Sequence, residues 1–157
     1  MVSTASKKIE VRIPSQVGYE QIAADASASV AHIMGFTPER IEDLKTAMRE
    51  ACRNAIEHAH YMNTGVPVGI TFTVESSALH IEVEDRGEGL RETPARPDLR
   101  AMMEEGKPTR GWGLLLIRRL MDELTFEHKP GGGHVVHMVL RLPADKHESV
   151  DEPPSAG

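Results

Sequence analysis

The chain has 157 residues, the length of one domain and enough to bury a core of its own. Its net charge of −6 argues against general affinity for nucleic acid or anionic membrane, and its apolar runs fall short of the roughly 20 residues that span a bilayer. A lone cysteine, Cys52, excludes an internal disulfide. Because the start of the chain also lacks an apolar signal segment, we expect a cytoplasmic protein.

The first predicted elements are a strand and a helix. Residues 8–13 alternate between charged and β-branched side chains, which predicts a strand. Pro14-Ser15 is expected to end the strand and to cap the helix that follows. Apolar residues recur in that helix at helical spacing: Ile22, Ala26, Val30 and Ile33. Gly35 is expected to end it.

A longer helix is predicted over about residues 38–62. Thr37-Pro38-Glu39 combines a cap, a proline in the first turn and an early acid, which is typical of a helix start. Its apolar positions repeat at intervals of three and four, and the stripe centres near Met48 and Ala55.

The second half of the chain predicts four strands and a buried helix. The strands are expected over residues 68–74, 79–85, 124–128 and 135–142, and the helix over 114–124. Between them, residues 90–110 form a long polar segment with room for a short helix at 98–105. This order predicts an α+β two-layer sandwich with helices on one face of a mostly antiparallel mixed sheet. Residues 8–142 would form the domain, and 143–157 a disordered tail.

Glu50 and Asn54 lie one helical turn apart on the flank of the long helix. A carboxamide oxygen suits Mg²⁺, which takes few protein ligands. A carboxylate one turn earlier could accept a proton from an attacking hydroxyl. The alternative is a solvated helix face on which both residues are incidental.

Asp85 continues the apolar face of a predicted strand, together with Leu79, Ile81 and Val83. A carboxylate on the core side needs a partner, and an exocyclic amine such as that of adenine would suit it. Gly87 and Gly89 then allow the backbone to approach a ligand closely. A tight turn capped by Asp85 is the alternative.

Basic residues and glycines precede the helix predicted from Leu114. Arg110 is followed by Gly111-Trp112-Gly113, and the free N–H groups of the helix start could cradle a phosphate. The adjacent polar segment then becomes a candidate lid. Spacings typical of zinc sites, Walker A loops and Rossmann glycine fingerprints do not occur in the chain. We interpret Cys52 as a packing residue and not as a nucleophile.

With these blocks in this order, residues 8–142 resemble the GHKL ATPase superfamily, and most of all its small bacterial anti-sigma-factor serine/threonine kinases. Residues 50–59 match the superfamily's N-box. Asp85-x-Gly87-x-Gly89 matches its G1 box, and Gly111-x-Gly113-Leu114 its G2 box.

The resemblance implies a Bergerat-type ATP-binding fold that uses ATP and Mg²⁺. Glu50 would be the catalytic base, Asn54 the Mg²⁺ ligand and Asp85 the residue that reads adenine. Other nucleotide-binding residues would be His58, Gly87, Gly89, Arg110, Gly111, Gly113 and Leu114. One departure is the Gly-Thr that the family often carries near the last strand, which is Gly133-His134 in this sequence. The departure removes one possible side-chain interaction near the adenine.

The function implied is an ATP-dependent serine/threonine protein kinase that phosphorylates a STAS-domain anti-anti-sigma protein and also binds a sigma factor. A homodimer is left open, and no nucleic acid or membrane partner is expected. One alternative is a non-catalytic ATP-binding module that sequesters a regulatory partner. Another is a switch kinase that activates a downstream phosphatase.

Overall fold

The computed structural model describes residues 5–61, 65–85 and 111–144. Five strands and three helices lie in these ranges, in the order β1 Lys7–Ile13, α1 Glu20–Met34, α2 Pro38–Tyr61, β2 Val68–Val74, β3 Ala78–Asp85, α3 Gly111–Leu120, β4 Glu123–His128 and β5 His134–Arg141. The predicted lid and short helix, and residues 145–157 of the predicted tail, lie outside the described residues.

The five strands form one sheet in the order β1-β2-β3-β5-β4, and each neighbouring pair is antiparallel. One row in register crosses the whole sheet: Ile9, Phe72, Ile81, Met138 and Leu124. Helix α2 packs on β2 and β3, and α1 packs on α2. The predicted α+β fold with an antiparallel sheet is thereby confirmed.

The buried face of α1 is lined mostly by small residues, and of the stripe of Ile22, Ala26, Val30 and Ile33 seen in the sequence only Val30 is buried. Residues of α1 that the fold buries are Glu20, Ala23, Ala24, Ser27, Val30 and Ala31. Ile22 is 52% exposed and Ile33 83% exposed. The reason is close helix packing: α2 presents Ala47 and Ala51 to the core, and small side chains let two helix backbones approach.

The predicted cap at Pro14-Ser15 is wrong. Helix α1 starts later, after Tyr19, which makes no capping side-chain hydrogen bond. The Ser15 hydroxyl instead donates to the carbonyl of Val66, so it ties the end of β1 to the approach to β2. The predicted stop is confirmed, because Gly35 adopts φ 90° and its N–H bonds back to the last turn of α1.

Helix α2 begins as predicted, whereas α3 ends four residues early. At the start of α2, the Arg40 N–H donates to Thr37 Oγ1 at 3.3 Å. Helix α3 ends at Leu120 because Asp122 is engaged elsewhere: its Oδ2 accepts the Arg141 N–H at 2.7 Å and lies 3.2 Å from the Arg40 guanidinium.

Within the described residues, each helix is too short or too polar to cross a membrane.

Cys52 lies in the core on α2 with none of its surface exposed. Burial, and to a smaller extent the negative charge of Glu20, raises the pKa of its thiol from 9.0 to about 12. The thiol therefore stays protonated near neutral pH, which agrees with a packing role.

The raised pKa of Cys52 predicts a loss of stability in alkali. Above a pH of about 9 the unfolded chain releases this proton while the folded chain keeps it, so the free energy of unfolding falls as pH rises toward the folded pKa. Against Cys52→Ala, the wild type should lose an additional ~1 kcal/mol between pH 9 and 10 in urea unfolding. The variant corrects for other groups that titrate in alkali. A difference between the two proteins that stays constant with pH would contradict the prediction.

Candidate functional site

Glu50 and Asn54 meet the first turn of α3. Both side chains are partly exposed on α2, off the buried stripe, as the sequence predicted. A Cβ atom at Gly113 would lie 2.7 Å from Glu50 Oε2 and 3.6 Å from Asn54 Nδ2. Only glycine therefore fits without displacing the carboxylate. The contact brings an acid, an amide and the N-terminal turn of a helix to one place.

Asp85 lies at the end of β3, where the sequence placed it on the core face. It is 4% exposed, and Val83 and Ile81 precede it on the same buried face. A buried carboxylate needs hydrogen-bond or charged partners. Because α2 packs on β3, the buried face of β3 that ends at Asp85 is the face covered by the helix that carries Glu50 and Asn54.

A histidine occupies the position next to Asp85 where the family often has threonine. His134 pairs directly with Asp85 across β3 and β5, and its Nδ1 lies 3.7 Å from Asp85 Oδ2. His128 is the next residue in the same row, with ring centroids 4.5 Å apart. The structure thus places the aromatic, titratable side chain of His134 beside the buried Asp85 carboxylate. The sequence pattern indicates only that threonine is absent at this position.

Two charged residues were missed from the sequence: Arg53, which pairs with Glu50, and Glu20, which pairs with Arg53. Arg53 Nη1 lies 3.7 Å from Glu50 Oε1, and its Nη2 lies 3.8 Å from Glu20 Oε1. Glu20 is 7% exposed, and its other oxygen accepts the Gly18 N–H at 2.6 Å. The three-residue spacing of Glu50 and Arg53 could have indicated their pairing. No local signal reveals Glu20, which comes from another helix.

The remaining predicted residues divide into two groups. Gly111 begins α3, and Leu114 is partly buried against the core. Residues outside the described part, or whose side chains are not described, are His58, Gly87, Gly89 and Arg110. The described structure thus brings Glu50, Asn54 and Gly113 together, and Asp85 lies on β3, the strand against which α2 packs.

Asn54 is the candidate metal ligand of this arrangement. Among the described residues, no group of three or more His, Cys, Asp or Glu side chains could hold a metal ion. A Mg²⁺ ion on the Asn54 amide oxygen would take phosphate and water as its other ligands, as this ion usually does. The first-turn N–H groups of α3 and the adjacent Glu50 could then face the phosphates.

Comparisons with known proteins identify the family of the chain. Residues 13–140 match the histidine kinase-like ATPase domain. The serine-protein kinase RsbW of Bacillus cereus strain AH820 is 36% identical over 130 residues, which cover 80% of each chain. RsbW of Bacillus thuringiensis strain Al Hakam is 35% identical over the same coverage.

Two solved structures share the fold. One contains the RsbU and RsbW domains of Rv1364c from Mycobacterium tuberculosis, with a TM-score of 0.62 and 18% identity over 87% of this chain and 32% of that chain. The other is the SiaB–SiaC complex of Pseudomonas aeruginosa, with a TM-score of 0.61 and 16% identity over 84% of this chain and 88% of that chain. By its match to the domain and its identity to the curated relatives, the chain belongs to the histidine kinase-like ATPase domain family and, within it, to the RsbW-type serine-protein kinases.

Proposed function

We propose that this chain phosphorylates a serine or threonine of a STAS-domain anti-anti-sigma protein and, in its other state, binds a sigma factor. The observation that carries the proposal is the meeting of Glu50, Asn54 and Gly113 at the start of α3. A base, a metal-binding amide and a helix N-terminus at one point are what transfer from ATP to a hydroxyl requires.

Each residue has a distinct chemical task. The Glu50 carboxylate accepts the proton of the attacking serine or threonine hydroxyl. The hydroxyl oxygen bonds to the γ-phosphorus of ATP, the bond from that phosphorus to the β,γ-bridging oxygen breaks, and ADP leaves. Asn54 would hold Mg²⁺, which would neutralise part of the phosphate charge. Asp85, buried at 4% exposure, accepts a hydrogen bond from the adenine amine.

The remaining nucleotide contacts follow from the family resemblance. We assign His58, Gly87, Gly89, Arg110, Gly111 and Leu114 to the nucleotide site, and residues 8–142 to the kinase domain. We further propose that the protein works in the cytoplasm and that a homodimer is compatible with this activity. The alternatives are a non-catalytic module that sequesters its partner and a kinase that switches on a phosphatase.

Glu50→Gln tests the proposal directly. It keeps the shape of the side chain but removes the proton acceptor, so transfer of labelled phosphate from ATP to STAS-domain proteins of the same genome should slow by roughly 10²- to 10⁴-fold. ATP affinity should change little, because Asn54 and Asp85 remain.

Glu42→Gln is the matched control for Glu50→Gln, since Glu42 lies on the same helix and is 69% exposed beside Lys45. Its transfer rate should equal that of the wild type. Equal rates for Glu50→Gln and wild type would remove Glu50 as the base. A wild type that transfers to no STAS-domain protein would favour the non-catalytic module.

Asp85→Asn should weaken ATP binding by roughly 5- to 150-fold, since a buried mismatched polar group costs about 1–3 kcal/mol. Isothermal titration calorimetry measures the affinity. Glu84→Gln is the control. Glu84 immediately precedes Asp85 in β3 and points to the opposite face, where its Oε1 lies 2.6 Å from Lys129 Nζ. Unchanged affinity in Asp85→Asn would exclude Asp85 from the adenine site.

Gly113→Ala should slow phosphate transfer by about tenfold or more while the melting temperature stays within a few degrees. The new Cβ would lie 2.7 Å from Glu50 Oε2, so the carboxylate must move from its place. Gly69→Ala is the control, because the nearest atom to its new Cβ is 4.0 Å away. A Gly113→Ala protein that transfers at the wild-type rate would show that this contact does not set the position of Glu50.

A further inference from the structure

Arg53 lies between two carboxylates that belong to different helices. Its Nη1 is 3.7 Å from Glu50 Oε1 and its Nη2 is 3.8 Å from Glu20 Oε1. A guanidinium is planar and always charged, so its two terminal nitrogens can face two acceptors at once. The side chain of Arg53 is 45% exposed, so this bridge stands at the surface of the site and not in the core.

Glu20 gives the bridge a fixed end. It is 7% exposed at the first turn of α1, and its Oε2 accepts the Gly18 N–H at 2.6 Å. The first turn of α1 is held against α2 by a second contact, in which Arg49 Nε donates to Gln21 Oε1 at 2.9 Å. Because Glu20 is buried and anchored, the guanidinium that faces it has a defined position.

The two oxygens of Glu50 therefore have different neighbours. Oε1 faces Arg53, while Oε2 faces Gly113 at the start of α3. With one oxygen within ion-pair distance of the guanidinium, the other faces the helix start where phosphate would lie. A carboxylate on a side chain with three rotatable bonds would otherwise sample several rotamers.

We propose that Arg53 is a positioning residue that holds the Glu50 carboxylate in its reactive orientation, with Glu20 as its anchor. The inference rests on the proposed role of Glu50 as the base. Arg53 acts through Glu50 and needs no contact with the nucleotide. Removal of the Arg53 side chain should therefore lower the fraction of time that Glu50 is correctly oriented. It should not change the affinity for ATP.

Arg53→Met keeps an unbranched, flexible side chain and removes the guanidinium and its charge. We expect kcat for phosphate transfer to STAS-domain proteins to fall by about tenfold, the order of effect of a misplaced reacting group. KM for ATP should stay within about twofold, and the melting temperature within a few degrees. Arg53→Lys should give an intermediate kcat, because an ammonium is a point charge that cannot face both carboxylates equally.

Arg141→Met is the control for removal of a half-exposed arginine. Arg141 is 50% exposed and pairs with Glu123 at 3.0 Å at the far end of β5 from His134, so this variant should transfer phosphate at the wild-type rate. An Arg53→Met protein with wild-type kcat would overturn the inference. A rise of about tenfold in KM for ATP would also overturn it, and so would a fall in melting temperature of more than a few degrees.

A double-mutant cycle with Glu50→Gln separates this inference from the proposed function. If Arg53 acts through Glu50, adding Arg53→Met to Glu50→Gln should cause no further loss in single-turnover transfer. A further loss of the same factor would mean that Arg53 acts independently, which refutes the inference. Wild-type transfer by Glu50→Gln alone would instead refute the proposed base.

Discussion

The close approach of α3 to α2 at Gly113 is the contact on which the site depends. A Cβ at this position would lie 2.7 Å from Glu50 Oε2, so a side chain here and the observed carboxylate exclude each other. The contact sets how near the first turn of α3 comes to Glu50 and Asn54. Helix α3 is itself held at its other end, where Arg40 donates to the Leu120 carbonyl at 3.0 Å. The meeting of Glu50, Asn54 and Gly113 is therefore set by packing between helices.

The same principle of small residues at a helix contact explains α1. Its alanine-lined face lets it lie close to α2, and this places Glu20 beside Arg53. Larger residues on that face would move α1 outward and carry Glu20 away from the guanidinium. The exposure of Ile22 and Ile33 follows from this packing, because these larger side chains lie outside the buried face of α1.

The sequence predicts elements well wherever a local pattern decides them. The antiparallel strands, the start of α2 at Thr37 and the stop at Gly35 follow from alternation, capping and positive φ. The predicted face of α1 is wrong at Ile22 and Ile33, because hydrophobicity ranks isoleucine above alanine, whereas close packing of α1 on α2 requires small side chains. The predicted end of α3 is also wrong, because Asp122 is bound by Arg40 and Arg141, which are distant in sequence.

The candidate site shows the same division. The flank position of Glu50 and Asn54 and the buried face of Asp85 follow from helical and strand periodicity. The neighbours of these residues do not: Gly113, Glu20 and His134 reach them from other elements, and a periodic pattern carries no information about such pairs. The family resemblance identifies Gly113, but it gives no physical reason for the glycine.

Glu50, Arg53 and Asn54 fall within little more than one turn of a single helix. Their spacing is thus set by the helix itself, at about 1.5 Å of rise per residue, and is nearly independent of the rest of the chain. Asp85 belongs to a strand, and its surroundings come from a neighbouring hairpin. On the proposed assignment, substitutions that accumulate in that hairpin during divergence would alter nucleotide affinity, while the spacing of Glu50, Arg53 and Asn54 along α2 would be kept. Affinity and rate would then be separately evolvable traits of one small domain.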